Sequence, residues 1–298
     1  MRLKTLPAFS LTLLAAMAVA ACDNLDFDAA AEGLGSCTPE TTLMAATDSG
    51  KLITFKSTAP GVALSSVTIT GLGAAGVAGI DARPANNAIN ILSTDDKLYT
   101  VNTTTGAATQ VGAAAVSGFT NVGGFNFNPV PDRIRVINTD GSSSKRINPD
   151  TGALAATDTS LSYATGDVNA GKTFALRGMA YKATSATGSP PVNVTTAYVI
   201  DATQNVLATL GGPNGTPSPN GGLLFTVGAL GVDVSTAVTQ QTFDIDGVNS
   251  VGYFVQEGGV RTLRQVNLAT GASKPCGGTA LAAGGADLPI KAMTVVLP

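Results

Sequence analysis

An all-β fold, a β-propeller of five blades, is predicted by three features of the chain. A hairpin recurs along it, a short alternating strand precedes each copy, and one C-terminal strand has no hairpin after it. The hairpin reads LYTVNTTTGA at 98–107, KRINPDTGA at 145–153 and LRQVNLATGA at 263–272. Copies separated by roughly one blade's length mean an array of small sheets rather than one wound domain.

The turn chemistry explains the hairpin. Asn or Asp opens it because a short polar side chain bonds backbone two residues on. Gly106, Gly152 and Gly271 then stand where a left-handed residue and a bulge close such a turn. A fourth copy, 199–206, has Asn205 in that place. Asn tolerates positive φ well among residues with a side chain. Ahead of the hairpins, residues 78–84, 123–129, 177–181 and 241–246 read as short alternating strands. A matching strand, 290–296, closes the chain, and the hairpin it lacks stands at the N-terminus, 42–46 followed by 51–55. The last strand therefore completes the first blade and removes the exposed edge. First strands near Ile80, Phe125, Met179, Phe243 and Met293 count five blades, and six if 223–234 builds its own sheet.

Composition fits. The chain of 298 residues has 35 Gly and 15 Pro, which suit many short strands and tight turns. Charged residues are only 12%, with net charge −3, which argues against a nucleic-acid partner, since that needs a basic stripe. Aromatics at 5% and no Trp leave little for a base- or sugar-stacking platform.

The N-terminus predicts export. Arg2 and Lys4 precede an apolar run, 11–19, too short to stay in a bilayer. It ends in Val19-Ala20-Ala21-Cys22, which resembles a bacterial lipobox, with an ordinary signal peptide as the other reading. The resemblance implies a lipoprotein signal peptide over 1–21, acylation of Cys22, an acidic tether over 22–41 and a propeller over 42–298. Cys37 and Cys276 remain, one before the first strand and one after the last hairpin. In an oxidising compartment they are expected to form a disulfide where the ring's ends meet.

Residues 48–55, 79–84, 98–112 and 124–136 together resemble an uncharacterised family of exported bacterial proteins, domain of unknown function 4394. The likeness runs from about Leu43 to Val296. It implies a propeller and export, and no activity. Asn126 stands where the family more often has Asp.

Histidine is absent, which excludes Ser-His-Asp triads and His-ligated zinc. Residues 71–76 match a glycine fingerprint in spacing, without the following helix or acidic partner, and read as a loop. Residues 244–249 resemble a calcium loop only faintly, because Val248 holds a ligand position. What remains is a ring: Asp81, Asn126 and Asp244 at one level of the first strands, with Arg83, Asn128 and Asp246 two residues on. Such a ring either holds a hard cation such as Ca²⁺ or bonds neighbouring blades together. In the second case Arg83, Arg133 and Arg135 are the expected partners of Asp81, Asp132 and Asp244.

The functional expectation is a monomeric, lipid-anchored cell-envelope propeller, non-catalytic and without cofactor. It would bind an envelope protein or polysaccharide through loops such as 185–193 and 211–222. The alternative is a Ca-type hydrolase or lyase at the axial Asp/Asn ring.

Overall fold

The computed structural model describes residues 37–113, 115–116, 118–186, 192–235, 241–257, 261–277 and 289–298. The expected signal peptide, Cys22 and the tether as far as residue 36 lie outside them. Strands β1 (Thr42–Thr47), β2 (Lys51–Lys56) and β3 (Ala59–Thr68) begin blade 1. Blade 2 follows with β4 (Val77–Ala82), β5 (Ile89–Ser93), β6 (Leu98–Val101) and β7 (Ala108–Val111). Blade 3 holds β8 (Val122–Asn128), β9 (Arg133–Asn138), β10 (Ser144–Ile147) and β11 (Leu154–Thr157). Blade 4 is larger: β12 (Ser162–Tyr163), β13 (Leu176–Ala186), β14 (Val192–Asp201), β15 (Val206–Leu210) and β16 (Leu223–Ala229). Blade 5 comprises β17 (Phe243–Asp246), β18 (Val251–Gln256), β19 (Thr262–Asn267) and β20 (Ser273–Pro275), and β21 (Ile290–Val295) ends the series.

These strands make five sheets, and β21 pairs antiparallel with β1, so the C-terminal strand closes blade 1 as expected. The innermost strands β21, β4, β8, β13 and β17 touch one another in an unbroken cycle. A propeller of five blades results. The six-blade alternative fails because β16 pairs with β15 and, in parallel, with β12, inside blade 4.

Packing follows the repeat. Ile80, Phe125, Met179, Phe243 and Met293 are all fully buried on the inner strands. A glycine on the preceding blade makes room for three of them, Phe125, Met179 and Phe243. A Cβ at Gly79 would stand 2.5 Å from the Phe125 Cβ, and one at Gly178 would stand 2.4 Å from that of Phe243. The core is accordingly divided into clusters that fill the seams between blades. Ile80, Ile91 and Ala292 pack between blades 1 and 2; Leu92, Phe125 and Val136 pack between blades 2 and 3.

The turns match their chemistry. Gly106, Gly152, Gly271 and Asn205 all have positive φ, at 77°, 67°, 79° and 54°. The Asn102 Oδ1 accepts the N–H groups of Thr104 and Thr105, and Asn267 repeats this with Ala269 and Thr270. One assignment is corrected. The Asp201–Asn205 turn joins the second and third strands of blade 4, whereas the other three join the third and fourth. Asx chemistry shapes a turn without specifying which hairpin it closes.

Cys37 and Cys276 form a disulfide with Cα atoms 4.7 Å apart, both fully buried among Leu43, Phe55, Tyr253 and Met293. Thr41 donates to Asp246 at 2.6 Å. In the chain-entropy model, closing so long a loop contributes about 5 kcal/mol.

Candidate functional site

Each innermost strand has one edge facing the axis, where no further strand supplies hydrogen bonds. Its N–H groups need other acceptors. The ring residues provide them. Phe127 N–H donates to Asp81 Oδ2 at 2.6 Å, from blade 3 to blade 2. Tyr181 N–H donates to Asn126 Oδ1 at 2.8 Å, from blade 4 to blade 3. Val295 N–H donates to Asp244 Oδ2 at 2.7 Å, from blade 1 to blade 5. Thr294 completes the pattern: its Oγ1 accepts from Ala82 N–H at 3.2 Å, from blade 2 to blade 1. Each polar side chain thus takes the amide one position further along on the next blade.

Blade 4 has Ala180 at this level and contributes no acceptor. The amide it would serve, Ile245 N–H, donates instead to Asp244 Oδ1 at 2.8 Å. Past the small Ala180, Asn126 Nδ2 reaches Asp244 Oδ1 at 3.2 Å. The three residues singled out from the sequence therefore do come together. Thr294, which the sequence reading missed, joins them: its Oγ1 lies 2.9 Å from Asp81 Oδ1 and 3.0 Å from Asp244 Oδ2. The signal was present, since Thr294 follows Met293 as Asp81 follows Ile80.

Electrostatics follow from burial. Asp81 and Asp244 are 4% and 6% exposed. Burial raises the Asp81 carboxyl well above its ordinary value, and the charge of Asp244 adds to this. Burial also raises Asp244, to about 6, against the donors that favour its charge.

The expected arginine partner is found for Asp132, while among the described residues no salt bridge reaches Asp81 or Asp244. Arg83 binds Asp132 and Asp150, and Arg133 donates to the Asp132 carbonyl at 2.8 Å. Arg135 is buried away from Asp244, at 2.7 Å from both Asp158 and the Tyr181 hydroxyl. It lies on the second strand of its blade, so its reach is outward. Asn128 accepts from Val130 N–H at 3.2 Å. Asp246 caps its own turn through the N–H groups of Val248 and Asn249, both at 3.0 Å. Among the described residues no group of three or more Cys, Asp or Glu is placed to hold a metal ion. At the start of the inner strands two cavities, of about 140 and 200 Å³, share Val77, Thr94 and Lys291 in their walls. The loop 71–76 lines the larger one.

Residues 51–288 match the family model of DUF4394, a domain of unknown function. The chain belongs to the DUF4394 family. No curated protein matches this DUF4394 chain. Among solved structures it is similar to a chain of a nidogen/laminin complex, at 11% identity and TM-score 0.47, covering 87% of this chain and 98% of that one. It is also similar to a protein of unknown function from Bacteroides thetaiotaomicron, at 13% identity and TM-score 0.47, covering 84% and 62%. A protein of unknown function from Bacteroides caccae gives 10% identity and TM-score 0.42, covering 87% and 99%. Likenesses this distant carry no argument about what the DUF4394 chain does.

Proposed function

We propose that this DUF4394 propeller is a non-catalytic binding or scaffold domain, tethered to the bacterial cell envelope through a lipid on Cys22. It presents its loops to an envelope protein or polysaccharide. One observation carries the non-catalytic part. The axial polar groups, where repeated blades bring chemistry together, are taken up by the amides of neighbouring blades. Asp244 receives four donors, from Ile245, Asn126, Val295 and Thr294. A carboxylate has about four lone-pair sites. A Ca²⁺ at Asp81, Asn126 and Asp244 would have to displace those amides, which leave the edge unpaired.

The envelope part is supported by the lipobox-like Val19–Cys22 run and by a disulfide of the kind that persists in oxidising compartments. Two measurements test the reading. Membrane fractionation of cells expressing the full chain should find it in the membrane, with Cys22→Ser released to the soluble fraction. Thermal unfolding of the purified chain in EDTA, then in Ca²⁺ or Mg²⁺, should give one melting temperature. A rise with Ca²⁺ that Asp244→Ala abolishes would favour the hydrolase or lyase alternative, because a ligand of the folded state must raise the midpoint.

A further inference from the structure

We propose that Asp81 and Asp244 hold a single proton between them across Thr294, and that this proton locks the ring-closing strand. Geometry carries the argument. The Thr294 Oγ1 is within hydrogen-bond distance of both carboxylates, at 2.9 and 3.0 Å, yet a hydroxyl carries one hydrogen. With both carboxylates ionised, one of the two contacts is an oxygen pair with no hydrogen between. A proton on Asp81 Oδ1 resolves this. Asp81 then donates to Thr294, and Thr294 donates to Asp244. Its second lone pair accepts from Ala82 N–H.

The partners decide which residue is the acid. Asp244 receives three donors besides Thr294, whereas Asp81 receives Phe127 N–H and a share of the Ala82 N–H, which is divided between Asp81 and Thr294. The better-solvated anion is Asp244. Among the described residues no salt bridge joins a cation to either carboxylate, and the Nε and Nη1 of Arg177 on β13 meet no hydrogen-bond partner. Arg83, just after β4, is bound to Asp132 and Asp150, Lys291 on β21 to Asp48, and Arg135 on β9 to Asp158. From β8 comes the neutral Asn126, and Asp246 on β17 turns to Thr41 and Asn249. Tyr253, paired with Asp244 across β17 and β18, turns its hydroxyl to Thr41 and to the Pro39 carbonyl.

Position gives the proton its consequence. Asp81 and Asp244 belong to the blades on either side of blade 1, and Thr294 and Val295 belong to β21, the strand that closes the ring. Losing the proton puts two buried negative charges against that strand. Both carboxyls are raised in the folded state, so the folded chain binds more protons than the unfolded one. The stabilisation is complete below the unfolded carboxylate value, near 4, and is lost as pH rises through the folded values.

The test compares the full chain with Asp81→Asn at pH 5 and pH 8. In Asp81→Asn the amide donates permanently to Thr294, as the acid does. For the wild type, protection factors of the β21 amides and the melting temperature should both fall towards pH 8, the latter by several degrees. In Asp81→Asn the fall should vanish, and an undiminished fall overturns the proposal. Infrared spectroscopy of the wild type at pH 7 gives an independent answer should the variant not fold. A buried carboxylic-acid carbonyl band is expected, and its absence overturns the proposal too.

Discussion

Blade 1 and blade 4 meet the same requirement by opposite means. Blade 1 is assembled from both ends of the described chain and is held locally. Thr294 and Val295 bond to carboxylates of both neighbours, and the Cys37–Cys276 bridge fixes the segment leading into β1. Blade 4 is continuous in sequence and gives the axis no side-chain acceptor, with Ala180 at that level, and its one axial bond is the Tyr181 N–H donated to Asn126. It is held mainly from its periphery. Strands β13 and β14 run for 11 and 10 residues, β12 adds a parallel fifth strand, and Arg135 of blade 3 reaches into it. That guanidinium donates to the Tyr181 hydroxyl and to Asn220 Oδ1, at 2.7 and 2.5 Å, while paired with Asp158. The difference teaches that a propeller's weak point is its seam, where covalent and axial bonds concentrate. A blade with intact chain continuity does without its axial acceptor.

The largest effect is expected at the seam. Replacing Cys37 and Cys276 with Ser should cost up to about 5 kcal/mol, since the bridge spans 239 residues. Urea unfolding of the oxidised and double-Ser chains measures it. Protease cleavage should increase first near β1 and β21. Equal unfolding midpoints would mean that strand pairing alone closes the ring, and the contrast with blade 4 would collapse. Second comes Arg135→Ala. Removing one member of a buried ion pair costs about 3 kcal/mol or more, and here it also strands Asn220 and the Tyr181 hydroxyl. Arg146 still binds Asp158 at 2.9 Å, which places the loss at the lower end of that range. A loss below about 1 kcal/mol would show that the apolar cluster around Met179 and Leu210 holds blade 4 unaided.

Much of this contrast was legible in the sequence. The alternating strands around Ile80, Phe125, Met179, Phe243 and Met293 marked the blades, because inner strands repeat one packing problem. The unpaired 290–296 segment marked the closure, and the two cysteines flanking the joint marked the bridge. The axial ring was legible as a set of equivalent positions. Its chemistry was not, since the partner of Asp81 is a backbone amide that every residue but proline possesses. Nor could Arg135 be placed, because charge in sequence does not say which side of a blade a strand exposes. The bridging role of Thr294 needed three strands in register before one hydroxyl could be seen between two carboxylates.

The smallest effect sharpens the same comparison at the turns. Gly106 in blade 2 and Asn205 in blade 4 share a left-handed backbone, at φ 77° and 54°. Were conformation the whole requirement, Asn would serve at either place. Space separates them. A Cβ at Gly106 would stand 2.0 Å from the Thr68 carbonyl oxygen of blade 1. Asn205 instead uses its side chain, whose Oδ1 accepts from Val234 N–H at 2.7 Å. Gly106→Asn should therefore cost about 2 kcal/mol by overpacking the joint between blades 1 and 2, although the residue suits the turn. Asn205→Gly should cost about 1 kcal/mol or less, the worth of one hydrogen bond offset by an easier backbone. Chemical unfolding of both variants decides the matter. Equal costs would mean that the outer hairpins are selected for turn geometry alone, whereas a clear excess at Gly106 would place them among the contacts that hold blade to blade.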